Sequence, residues 1–179
     1  MKISKKNIKL WKANSPAGFD AWLQDVTPRI LHRNSQYKIF KPTPSQDTTI
    51  NEVLSSKNGK FQRSMSIEIQ PRRHGKSTVF ALICLWLFTS RRNLTIQLLG
   101  NTEQHCRRTQ FNTLEKIIRN TPILSSSILE SDIRQYSIFF SSLIKCNSNE
   151  RSKYCFFIWR KNIRLVVLRS PRLCWHAAF

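Results

Sequence analysis

With 179 residues, the chain is long enough for one ordinary core or one small α/β domain and too short for two catalytic domains. Thirty Lys and Arg against ten Asp and Glu leave a net charge of +20 and a pI near 10.6, a surplus that favours polyanions such as DNA or RNA and otherwise serves only solubility. Five cysteines (Cys84, Cys106, Cys146, Cys155 and Cys174) are odd in number and lack C-x-x-C spacing, so neither a complete disulfide framework nor a zinc site is indicated, and a reducing cytosol fits best.

The first segment, Met1 to Trp11, is basic but has no apolar run of the kind a signal peptide carries, so secretion is not expected. Ser15 and Pro16 suit the N-cap and first position of a helix. Phe19, Trp22, Leu23 and Val26 then fall at i, i+3, i+4 and i+7, predicting an amphipathic helix that ends before Pro28. From Arg29 to Ser45 the chain is basic, holds Pro42 and Pro44, and reads as an extended connection into Gln46. Ile50, Val53 and Leu54 mark a short helix stopped near Asn58 and Gly59.

Ser64 to Gln70 alternates, with Met65, Ile67 and Ile69 on one side, which predicts a strand with that face the more buried. The longest apolar run, Val79 to Phe88, is ten residues. A membrane span needs roughly twenty, so this run reads as a buried helix, continuing to about Thr89, and no membrane association is expected. Leu94 to Leu99 follows as a second strand. The order strand, helix, strand is the signature of a parallel sheet, and the expected fold class is α/β, a P-loop NTPase-type parallel sheet flanked by helices, here incomplete.

Asn101 or Thr102 is placed to cap the next helix, in which Phe111, Leu114, Ile117 and Ile118 share a face until Asn120, Thr121 and Pro122 end it. Tyr136 to Phe140 and Leu143 to Cys146 read as a hairpin across Ser141 and Ser142. Beyond Glu150 the character changes: the last 29 residues carry seven Lys or Arg, no acid and scattered aromatics, without any period. The expected organisation is a helix and basic connection over 1–45, a partial P-loop ATPase domain over 46–150, and a basic aromatic tail over 151–179 that is non-native or disordered.

A P-loop places G-x-x-x-x-G-K-[ST] between a strand and a helix, where backbone N–H groups cradle phosphates while Lys and Ser or Thr reach the terminal phosphate and Mg²⁺. Gly75, Lys76 and Ser77 stand in that context, although Gln70 occupies the place of the first glycine. On this reading Gly75 permits close backbone approach, Lys76 neutralises β- and γ-oxygens, Ser77 holds Mg²⁺, and Thr78 sits just inside the helix. Arg72 and Arg73 each fit two roles, stabilisation of transition-state charge in cis or contact with solvent or DNA. His74 has no metal-ligand partner at useful spacing and reads as a loop side chain facing solvent.

The string Pro71-Arg72-Arg73-His74-Gly75-Lys76-Ser77 resembles the deviant Walker A loop of phage large terminase subunits, written P-R-R-x-G-K-[ST]. The Phe19 to Pro28 helix with its V-T-P-R-I ending, the Gln46 region, Leu98 to Gln104, Ile117 to Pro122 and Ser148-Asn149-Glu150 resemble the same family in the same order, so the likeness spans roughly residues 15 to 150. It implies ATP and Mg²⁺ as cofactors. Gln46 would stand at an adenine-recognising position, Arg72 would be the loop arginine that senses or stabilises the γ-phosphate, and Arg73, His74, Gly75, Lys76, Ser77 and Thr78 would line the nucleotide. On sequence alone Gln46 is also simply a polar residue at a helix start. The implied partners are double-stranded DNA, a small terminase subunit and the portal, in the cytoplasm of a host cell carrying the phage or prophage.

That family also needs a strand ending in Asp-Glu, the Asp supporting Mg²⁺ and the Glu activating water. Here Leu165 to Leu168 is followed by Arg169 and Ser170, and no acid exists after Glu150, so neither this pair nor a two-metal nuclease cluster is present. Read one base later, Tyr154 to Asn162 can encode T-A-F-S-F-G-E-K-T, which is similar to the stretch directly after S-N-E in the family. The expectation is therefore a terminase ATPase region whose frame changes after about residue 152. A different class of function stays open: a basic nucleic-acid-binding module whose G-K-S is incidental.

Overall fold

The computed structural model describes residues 9–32, 34–67, 69, 71, 74–91, 94, 96–98 and 106–126, with the backbone of four short strands at 133–134, 137–138, 156–158 and 176–177. The first full helix, α1 (Pro16–Val26), forms where its local signals put it. Ser15 is extended and its hydroxyl accepts the Gly18 N–H at 3.3 Å, Pro16 opens the helix, and Thr27 closes it in a left-handed turn. Its apolar stripe, Phe19, Trp22 and Val26, is buried.

The connection from Arg29 to Ser45 is more ordered than its prolines suggested. Strands β1 (Arg29–Leu31) and β2 (Tyr37–Ile39) pair antiparallel as a hairpin, and the Arg29 N–H donates to the buried Thr121 hydroxyl at 3.0 Å. Helix α2 (Pro44–Val53) then starts several residues before the apolar positions that announced it, because Thr43-Pro44-Ser45-Gln46 is a complete capping box. Asn58 and Gly59 do not end that helix, which stops at Leu54. They sit at φ 52° and 70° as the two-residue turn joining β3 (Ser56–Lys57) to β4 (Lys60–Phe61), since an Asn-Gly pair in this conformation matches the twist of a tight hairpin.

Helix α3 (Lys76–Ser90) is apolar on every side and is buried along nearly its whole length, from Val79 and Ala81 to Phe88 and Ser90. Loss of covering strands would expose this helix, and the structure does not do so. Helices α1, α2 and α4 (Asn112–Asn120), with the π-helical turn Arg107–Phe111 that leads into α4, close around it. The α4 face is as the period indicated, with Phe111, Leu114, Ile117 and Ile118 buried, and the short α5 (Pro122–Ser125) adds Leu124.

An aromatic group forms one end of this core. Phe19 stacks on Trp22 at 6.0 Å, while Trp86 meets Phe19 at 5.6 Å and Phe61 at 6.4 Å edge-on. The Trp86 indole donates to the Trp11 carbonyl at 2.9 Å, and Trp11 donates to Asp25 at 2.8 Å. Arg91 lies over the Phe61 and Trp86 rings at 5.5 and 5.7 Å and donates to Asn14, which in turn donates to the Gly59 carbonyl. Burial lowers the Arg91 pKa to about 10, which leaves the guanidinium charged at neutral pH.

The strands do not assemble as one parallel sheet among the described residues. They form five two-stranded pairings: β1 with β2, β3 with β4, and β7 (Ile133–Arg134) with β8 (Ser137–Ile138) antiparallel, and β6 (Ile96–Leu98) with β9 (Phe156–Ile158) and β5 (Met65–Ser66) with β10 (His176–Ala177) parallel. The strands on either side of α3, β5 and β6, are thus not neighbours. The alternating face before the loop is also turned the other way from expectation, since Met65, Ile67 and Ile69 are 54%, 65% and 90% exposed. With α3 packed on helices, no element of the described core covers that face.

Three expectations fall where the structure describes nothing: the cap at Asn101 or Thr102, the hairpin of 136–146 apart from β8, and the tail of 151–179 apart from β9 and β10.

Two thiols belong to this core. Burial pushes Cys106 up to about 11 and Cys84 up to about 12, because a thiolate loses its hydration there, and Cys106 also lies 3.4 Å from the Leu98 carbonyl. The neutral thiols therefore support folding below pH about 9, and that contribution is lost as pH rises through 11 to 12. In a mass-spectrometric alkylation experiment at pH 8, Cys84 and Cys106 are expected to react at least about tenfold more slowly in the folded chain than in denaturant. Equal rates would show that the two sites are open to solvent.

Candidate nucleotide-phosphate site

The site is built on the start of α3. Gly75 is its N-cap, held at φ 79° and ψ 14°, and no side chain caps the helix. Its carbonyl accepts the N–H groups of Thr78 and Val79, both at 3.0 Å, so the helix winds directly from the glycine. A left-handed residue at this point is strained for any side chain other than glycine or, less so, asparagine. The turn aims the first helical residues and the positive end of the helix dipole out of the fold.

Within that first turn Ser77 is exposed, and Lys76 and Thr78 are half-buried. A hydroxyl in the first turn, next to a lysine and at the positive end of a long helix, is a chemical environment that fits an anion and a hard cation held together, as a Mg²⁺-polyphosphate is. Among the described residues no group of three or more His, Cys, Asp or Glu is placed to hold a metal by protein ligands alone. A cation here would thus depend on the Ser77 hydroxyl and on ligand oxygens.

Gln46 is brought to the loop, 28 residues away in sequence. Its Nε2 donates to the His74 carbonyl at 2.9 Å, and its Oε1 accepts the Thr43 N–H at 3.0 Å. The orientation of the amide is set by these partners, because only this way round do both ends meet a complementary group. An added Cβ on Gly75 would come within 2.6 Å of the same Nε2, so glycine is needed there for space as well as for its backbone angle. The sequence pointed to Gln46 but not to this contact. The signal that anticipates half of it is the T-x-x-Q spacing of Thr43 and Gln46, masked by the two prolines beside it.

The remaining residues divide plainly. His74 is exposed, and its carbonyl, not its ring, joins the site. Gln70, Arg72 and Arg73 lie outside the described residues, as does the segment of the chain where an acidic pair was sought. Among the described residues no helix is long and apolar enough to cross a membrane. Compared with family models and with curated proteins, the sequence gives no match to either.

Proposed function

We propose that this chain binds the polyphosphate of a nucleoside triphosphate at the start of α3, as the ATP-binding part of a terminase-type packaging ATPase. The observation that carries the reading is Gly75 in a left-handed turn at the uncapped start of a fifteen-residue helix, followed at once by Lys76 and Ser77. Lys76 supplies charge to the β- and γ-oxygens, Ser77 a hydroxyl ligand to Mg²⁺, and Thr78 and the loop residues Arg73 and His74 flank the phosphates. Bound Mg²⁺ would neutralise phosphate charge. Arg72 is assigned the γ-phosphate by resemblance.

In the intact family such a domain drives duplex DNA into a procapsid with a small subunit and the portal, in the host cytoplasm. For the present chain the proposal is binding without hydrolysis, because no Asp-Glu pair comes after Leu165 to Leu168 to activate water. The +20 charge supports contact with DNA whichever reading holds.

The test is a fluorescent ATP titration of the wild type and Lys76→Ala with Mg²⁺ present. Removing a charged hydrogen-bond donor is expected to weaken binding about 10- to 100-fold. If both proteins show the same negligible affinity while salt-sensitive binding to duplex DNA persists, the chain is a basic nucleic-acid-binding module and the G-K-S is incidental.

A further inference from the structure

Gln46 has one amide group, and both of its ends are already engaged. Oε1 closes the capping box at the start of α2 through the Thr43 N–H, and Nε2 holds the carbonyl of His74, the residue immediately before the left-handed Gly75. A base edge is read by an amide that offers a free donor and a free acceptor side by side. Reading adenine would require Gln46 to release the loop backbone and the helix cap together. The same amide lies where a Cβ at position 75 would stand, so its place is shaped by the loop and not by an open pocket.

We infer that Gln46 is a positioning residue for the phosphate loop. It clamps the His74 carbonyl from α2, sets the direction in which the chain enters α3, and leaves the site to recognise the triphosphate without regard to the base. The ligand class is thus any Mg²⁺-polyphosphate, with adenine, guanine or no base at all. This rests on the proposed use of the loop as a phosphate site, but the clamp itself is a property of the ligand-free chain.

The variant that isolates the clamp is Gln46→Glu. Glutamate keeps the oxygen that accepts from Thr43, and so keeps the capping box, but at neutral pH it has no proton to give to the His74 carbonyl. Ser45→Glu adds the same charge one residue before it on the exposed surface with the clamp intact, and Gln46→Ala removes both contacts. Affinities for ATP, GTP and inorganic tripolyphosphate are measured with Mg²⁺, together with backbone hydrogen exchange over 74–80 in the ligand-free proteins.

Gln46→Ala is expected to weaken all three ligands by the same factor, about fivefold, the equivalent of one neutral hydrogen bond. Gln46→Glu should fall below Ser45→Glu for all three. Exchange over 74–80 should quicken about fivefold in both Gln46 variants and not in Ser45→Glu, while α4 is unchanged. A loss confined to ATP overturns the inference and assigns Gln46 to the base, and equal behaviour of Gln46→Glu and Ser45→Glu overturns it as well. The two readings fail separately. Faster exchange in a protein whose wild type binds none of the three ligands rejects the phosphate site and keeps the clamp, whereas unchanged exchange rejects the clamp even if ATP binds.

Discussion

Trp86→Ala is expected to destabilise the chain by about 3–5 kcal/mol, the range for emptying a large aromatic site in a packed core. Trp86 is fully buried, its ring contacts Phe19 and Phe61, and its indole N–H satisfies the Trp11 carbonyl inside the protein. Alanine removes all of these together and strips Arg91 of one of its two rings. Domains of this size hold about 5–15 kcal/mol in total, so the variant should lose most of its cooperative transition in urea followed by circular dichroism. Trp86→Phe should cost less, about 1–3 kcal/mol, because a ring still fills most of the space and the main loss is the bond to Trp11. A Trp86→Ala midpoint shifted by less than about 1 kcal/mol would mean that helices α1 and α3 do not share this core.

Gly75→Ala is the second large effect, and it acts on the site. Alanine in a left-handed conformation costs about 1–2 kcal/mol, and its Cβ would stand 2.6 Å from Gln46 Nε2 unless that amide swings off the His74 carbonyl. The variant is expected to lose about 1–3 kcal/mol of stability and, with the helix start reoriented, at least about tenfold in polyphosphate affinity. The cause divides in a double-mutant cycle. In a Gln46→Ala background the amide is gone, so alanine at 75 should carry only its backbone strain, and the two changes together should cost less than their sum. Strict additivity would show that Gln46 and Gly75 do not meet.

These two variants touch features of different legibility. The cap of α1 at Ser15, the apolar run that became α3 and the buried face of α4 were readable because each depends on residues within a turn or two of one another. The same holds for the loop, since Gly75, Lys76 and Ser77 are consecutive and their chemistry needs only a helix behind them. A local signal fails when a stronger one is laid over it. Pro42 and Pro44 suggested an extended connection and hid the Thr43–Gln46 capping box, and Asn58-Gly59 looked like a helix stop where it is a hairpin turn.

What only the tertiary structure decided is which surface meets which. Alternation placed Met65, Ile67 and Ile69 on one side of a strand, but it carries no information about what lies opposite, and that side faces outward because α3 uses its apolar surface on α1, α2 and α4. The use of Gln46 is of the same kind. Its identity and its place near a helix start are sequence facts, whereas its bond to a carbonyl 28 residues on exists only because α2 packs beside the start of α3. Sequence alone thus determined the elements and the phosphate-loop chemistry, through short-range periodicity, capping and charge. Packing decided the partners, because contacts between distant segments are selected by the shape and burial of the whole core.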